Sequence, residues 1–332
     1  MPINFDRSYI QSYSSLELLA KQAVEGFITG MHRSPYHGFS VEFAEHRLYN
    51  VGESTRHLDW KLLARTDKHF VKRYEEETNL RCQLVVDVSS SMLFPTIKNA
   101  EGKEWNKLKF ALYGAASVME VMKRQRDAVG LSVFANELMV HTKAGSSQAH
   151  IHYLYSEMEK WLEQSATSYK STSHVSEVIH EIAERIHRRS LVVVFSDMLD
   201  DSKQVEEVFQ SLQHLRHNKH EVILFHVVHQ EHELDFNFEN RPYSFVDLET
   251  GEEVKAHPHE LRKAYQEKMN AFRTSLQLRA GQIGVDYFQT SIEDGIQNCM
   301  LQFLLKRQRM MIYFYETFSG SHRRWNQRRK RY

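Results

Sequence analysis

Leu84-Val85-Val86-Asp87-Val88-Ser89-Ser90-Ser91-Met92 is the stretch of this chain best equipped for chemistry. An apolar run ends in Asp-x-Ser-x-Ser, and alternate residues of an extended segment share a side. Asp87, Ser89 and Ser91 can therefore turn three oxygen-bearing groups toward one point. Hard cations such as Mg²⁺ take oxygen ligands in octahedral array, which suits that set. A Ser-rich turn capping the next helix is the plainer reading of the same residues. A second apolar run, Leu191-Val192-Val193-Val194-Phe195, ends in Ser196-Asp197 and delivers another carboxylate. Between the two lies Lys170-Ser171-Thr172-Ser173, just ahead of a helical pattern.

These groups need a scaffold that holds strand ends together. From Phe70 onward, short apolar runs alternate with amphipathic helical stretches: strands at 84–87, 128–134, 191–195, 221–228 and 285–288, and helices over about 105–124, 147–163, 174–187, up to 216, 259–281 and 293–309. Wholly apolar strands between amphipathic helices predict a parallel sheet covered on both faces, and such sheets bind ligands at the carboxyl ends of their strands. Ahead of this, Leu16, Leu18, Leu19, Ala23, Val24, Phe27 and Ile28 recur at near-helical spacing. Val41 to Tyr49 alternates like a half-buried strand, and a short Trp60-bearing helix follows, giving a small β-rich preface.

The 332 residues balance 43 Lys+Arg against 43 Asp+Glu, which argues against wholesale polyanion binding. A 41% hydrophobic and 26% charged composition excludes disorder for most of the chain. Cys82 and Cys299 are too few for a disulfide framework and point to a reducing compartment. Residues 1–7 lack the features of a secretion signal. The longest apolar run, Met310 to Tyr315, falls far short of the roughly 20 residues that span a bilayer. A cytoplasmic protein without a membrane span is expected.

Other chemistries find no support. There is no Gly-x-Ser-x-Gly elbow and no Gly-x-Gly-x-x-Gly, and Gly102-Lys103 is followed by Glu104, not Ser or Thr. A haloacid dehalogenase-type aspartyl nucleophile needs a second acid two residues on, where Ser89 stands. Among the 20 histidines, His214, His217 and His220 are spaced by three, as are His226, His229 and His232, but no His-Glu pair is followed by a second His at metalloprotease spacing. Solvated or helix-end histidines are the expected account.

Two strand-end acids, two serines and a helix-leading threonine are the parts of a metal-ion-dependent adhesion site, and the sequence here resembles the von Willebrand factor A fold. Upstream, Gly52-Glu53-Ser54-Thr55-Arg56-His57-Leu58-Asp59-Trp60-Lys61-Leu62-Leu63-Ala64-Arg65 is similar to the Gly-Asp-x-x-Arg-x-Ile-Asp-Trp-x-x-x-Ala-Arg pattern of bacterial domain-of-unknown-function family 58. The resemblance is dense from Gly38 to Met92 and resumes from Arg188 to Asp200. It implies an α/β von Willebrand factor A-like (Rossmann-type), mostly parallel sheet over residues 79–309. An N-terminal helix and β-rich extension over 1–78 precede it, and an aromatic, basic tail over 310–332 follows.

The resemblance further implies that Ser89, Ser91 and Thr172 coordinate a cation directly, while Asp87 and Asp197 hold its waters. Thr167 is a nearby rival for Thr172. The expected ion is Mg²⁺, with Mn²⁺ or Ca²⁺ as substitutes, and a partner's carboxylate would complete its coordination. Related proteins are typically encoded beside MoxR-type AAA+ ATPases, so the implied role is non-enzymatic: an adaptor linking such an ATPase to a client that supplies an acidic residue. The alternative is a metal-dependent phosphohydrolase using Asp87 and Asp197. Arg56, Asp59 and Trp60 are expected to serve packing between preface and sheet. The tail's Arg323, Arg324, Arg328, Arg329, Lys330 and Arg331 are read as a solvated end, with nucleic-acid contact as the weaker alternative.

Overall fold

Alternation of side chains along three central strands decides how this chain folds. In β3 (Arg81–Asp87), Cys82, Leu84 and Val86 enter one apolar core and Val85 the other. In β8 (Leu191–Ser196), Leu191, Val193 and Phe195 are divided in the same way from Val192 and Val194. In β9 (Glu221–Val228), Ile223, Phe225 and Val227 are divided from Val222 and Leu224. Strands that are apolar on both sides must be covered on both sides. The computed structural model describes residues 16–31, 46–48, 65, 70–72, 80–98, 104–162, 175–198, 202–248 and 251–306.

The sheet has six strands in the order β12-β9-β8-β3-β6-β7, where β6 is Ala128–Phe134, β7 Leu138–His141 and β12 Asp286–Ser291. All neighbours are parallel except β6 and β7. One face is covered by α1 (Leu16–Met31), α2 (Lys107–Arg124), α3 (Gln148–Leu162) and the terminal helix over 295–306. The other is covered by α4 (Val175–Arg185), α5 (Ser202–His217) and α6 (Pro258–Ile283). This is the α/β architecture expected, consistent with a Rossmann-like, von Willebrand factor A-type fold. Two short hairpins, β4 (Ile97–Lys98) with β5 (Glu104–Trp105) and β10 (Tyr243–Val246) with β11 (Glu253–Ala256), were not anticipated. Nor was β7.

The chain divides into two compact units, Met1–Thr29 with Leu80–Tyr332, and Gly30–Asn79. In the smaller, β1 (His46–Leu48) pairs antiparallel with β2 (Phe70–Lys72). Arg56, Asp59 and Trp60 lie outside the described residues, as does the tail from 307 onward. No described helix is long and apolar enough to cross a membrane.

From β3 the chain crosses by α2 to β6 on one side, and later enters β8 on the other. The carboxyl ends of β3 and β8 therefore flank the point where the winding direction reverses, the place where open α/β sheets bind ligands.

Candidate metal centre

Asp87 closes β3 and is buried. Its Oδ1 accepts the Ser89 backbone N–H at 2.9 Å, and its Oδ2 accepts the Ser196 hydroxyl at 2.7 Å. The first of these bonds folds the chain from strand into a 3-10 turn over Ser90–Leu93. Ser89 stands where a cap would, yet its side chain makes no capping bond. Its Oγ lies 3.0 Å from the Oγ of Ser91 instead. The plainer reading of these serines as a helix cap is thus not what the structure shows.

On the neighbouring strand, Ser196 ends β8 and Asp197 follows, buried. The next residue, Met198, takes a left-handed backbone conformation (φ 52°), and its N–H turns back to Ser196 Oγ at 3.0 Å. Such strain in a non-glycine residue is held only by the structure around it. Burial and the Asp197 charge together raise Asp87 from 3.8 to about 6. Two strand-end acids thus feel each other, as the sequence placed them. Thr172 and Thr167 lie outside the described residues.

Three residues join this cluster without having been foreseen. Lys107 opens α2 behind the cap Asn106, whose Oδ1 accepts Lys109 N–H at 2.9 Å. The Lys107 ammonium is fully buried, donates to Asp197 Oδ2 at 2.8 Å and also contacts Glu233 Oε1. Burial alone would lower its pKa, but the charges of Asp197 and Glu233 outweigh that and hold it protonated. Glu233 sits in a wide turn over Gln230–Leu234 just after β9, and its Oε2 accepts the His229 N–H at 2.8 Å. Burial is the larger influence on Glu233 and pushes its pKa upward despite the ammonium. His226, on β9, donates from Nε2 to the Asp197 carbonyl at 2.8 Å, so its Nδ1 accepts from the Tyr287 hydroxyl at 2.6 Å. Burial lowers His226 to about 4, and it is neutral at physiological pH.

His214 and His217 close a helix, as expected, but three of the six histidines depart from the solvated or helix-end setting. His220, His226 and His229 are buried, each tied to a partner: His220 Nδ1 accepts from Ser190 N–H, and His229 Nε2 lies 3.2 Å from Glu293. Strand positions and turn caps, not solvent, account for them.

The donor set is hard oxygen, from hydroxyl and carboxylate, and so fits Mg²⁺ better than a thiophilic ion. Ligands at right angles about 2.1 Å from Mg²⁺ stand about 3.0 Å apart, and the two serine oxygens are separated by 3.0 Å. Asp87, with a hydrogen bond already on each oxygen, is placed to orient a metal's water more readily than to bind the ion. Asp197 presents one oxygen to Lys107.

Among curated proteins, the chain is 26% identical over 185 residues to uncharacterized proteins of Mycobacterium bovis and Mycobacterium tuberculosis, a match covering 56% of this chain and 56% of each relative. Among solved structures it is similar to the conserved hypothetical protein BatB of Bacteroides thetaiotaomicron, with 13% identity and a TM-score of 0.42 over 69% of this chain and 99% of that one. An aerotolerance-related membrane protein of Bacteroides fragilis gives 16% identity and a TM-score of 0.42, over 68% and 99%. The family described as protein of unknown function DUF58 matches residues 45–275, well over half the chain. The chain belongs to that family.

Proposed function

We propose that the sheet unit is a non-enzymatic protein-interaction module whose divalent cation, Mg²⁺ foremost, is held by Ser89 and Ser91 with Thr172. Asp87 and Asp197 orient its waters. The observation that carries this reading is the Ser89–Ser91 pair, 3.0 Å apart at the strand switch point and backed by two strand-end carboxylates. When bound, the ion offers a coordination position to an acidic residue on another protein. This chain's own residues then fix the geometry. The Asp87 carboxylate pins the turn that carries both serines. Ser196 ties β8 to β3, and Lys107 holds the Asp197 carboxylate in place.

The partner implied by the family resemblance is a MoxR-type AAA+ ATPase, with this chain linking it to a client in assembly or maturation. That role places the chain in the cytoplasm. Each strand-end acid already accepts hydrogen bonds from Ser89, Ser196 or Lys107, and no contact among the described residues favours the phosphohydrolase alternative.

Calorimetry with Mg²⁺ on the wild type and on Ser89→Ala/Ser91→Ala tests the site. Pull-down with a MoxR-type ATPase, with and without chelator, tests the partner. One Mg²⁺ bound by the wild type, lost in the double variant, and capture that chelator abolishes are expected. Equal Mg²⁺ affinity in both proteins would overturn the metal reading, and chelator-insensitive capture would overturn the gating.

A further inference from the structure

We propose that α4 and α5 carry a second metal site, for a borderline transition ion such as Zn²⁺, formed by His180, Glu184 and His214. His180 and Glu184 are one helical turn apart on α4 and therefore share a face. The buried face of α4, through Val178, Ile179 and Ile182, enters the same core beneath the sheet as Val208, Leu212 and Leu215 of α5, so the two helices lie side by side. Ser211 on α5 also donates to the Ser176 carbonyl of α4 at 2.8 Å, so the two helices are fixed to each other. His214 emerges at the rim of that packed seam, beside the exposed pair.

One ligand atom from each of the three side chains lies within 4.8 Å of the others. The imidazoles of His180 and His214 stack with centroids 4.6 Å apart and planes 25° from parallel, and His214 Nε2 is 3.5 Å from Glu184 Oε1. Neither contact is a strong hydrogen bond. Among the described residues, His214 Nδ1 is buried without a hydrogen-bond partner, so the ring's polar capacity is incompletely met there. Two imidazoles and one carboxylate are a set that zinc prefers, and three protein ligands leave a fourth position for water or a partner's side chain.

The chemistry and the place both differ from the strand-end centre. Helices here run antiparallel to the strands, so the last turns of α4 and α5 adjoin the starts of β8 and β9, the amino-terminal edge of the sheet. The spacing of histidines along the chain does not reveal this cluster, because His180 and His214 belong to different helices.

Zn²⁺ titration of the full, untagged chain tests the proposal by calorimetry, with Co²⁺ substitution read by visible absorption. Wild type, His180→Ala, His214→Ala and Ser89→Ala/Ser91→Ala are compared. The expected result is one zinc bound by the wild type and by the serine variant. Each histidine variant should weaken it about tenfold or more and lose the tetrahedral cobalt bands. Because His180 is exposed, its variant should melt like the wild type without zinc. Zinc affinity unchanged in the histidine variants, lost only in the serine variant, or absent from the wild type would each overturn the site.

Discussion

Lys107 Nζ lies 2.8 Å from Asp197 Oδ2, joining the first turn of a helix to the end of a strand 90 residues later. The ammonium is fully buried and contacts Glu233 as well. Breaking a buried ion pair by removing one partner costs about 3–5 kcal/mol, because the other charge stays behind. Lys107→Met should lower the unfolding free energy in urea by about that much. A loss below about 1 kcal/mol, the scale of an exposed pair, would show that the ammonium does not compensate these acids.

Mg²⁺ should stabilise the wild type and leave Ser89→Ala/Ser91→Ala unmoved. An ion that binds only the folded state adds about 2.7 kcal/mol at a hundred times its Kd. In chelator the two proteins should differ by only about 1 kcal/mol, the worth of the lost hydroxyl contact. Thermal melts across a Mg²⁺ series read both quantities, and parallel responses would count against the serines as ligands.

Asp87 and His226 titrate with opposite consequences. Asp87 is raised from 3.8 to about 6, so the folded protein keeps a proton that the unfolded chain has released, and this group withdraws stability as pH rises through that window. His226 is lowered from 6.5 to about 4, so the unfolded chain holds the extra proton. Its contribution is fully present above about pH 6.5 and is lost as pH falls toward 4, a span worth about 3 kcal/mol. Besides Asp197, the charged and titratable groups facing His226 are Lys107, Arg273 and Tyr287. Relative to wild type in chelator, Asp87→Asn should gain stability more steeply between pH 4.5 and 6.5, and His226→Gln less steeply. Three parallel curves in urea unfolding would contradict the assignment.

Gly130 has no room for a side chain. A Cβ there would meet the Thr142 carbonyl oxygen at 2.7 Å, as well as the side chain of Gln83, which crosses to Ser132 at 2.8 Å. Gly130→Ala should cost about 1–3 kcal/mol, read as a lower urea midpoint at unchanged m. Adding Gln83→Ala should recover only part, because the Thr142 oxygen belongs to the backbone.

What could be read in advance follows from the physics of each signal. The sheet strands β6, β8 and β9 were legible because a fully buried strand leaves a largely apolar run between helical patterns. The strands β4, β5, β7, β10 and β11 were not, being two to four residues long and largely half-buried or exposed. Asp87, Ser89, Ser91 and Asp197 were legible because they end apolar strands. Lys107 was hidden in Lys-Leu-Lys-Phe, which reads as the wet side of a helix. Its one signal is a cation in the first turn, where the helix dipole disfavours it, a sign that a carboxylate waits nearby. Glu233 acts through a turn, and no periodicity marks it.

The first helix among the described residues depends on residues made much later. Leu16, Ala20 and Val24 are buried in the sheet unit, and the Leu16 N–H is received by Glu159, 143 positions onward. At about 5–20 residues per second, a ribosome needs on the order of ten seconds to supply that partner. Throughout that interval α1 presents an apolar stripe with nowhere native to go. Until Glu159 and the sheet are made, the apolar face of α1 stays open to whatever binds unpaired apolar helices.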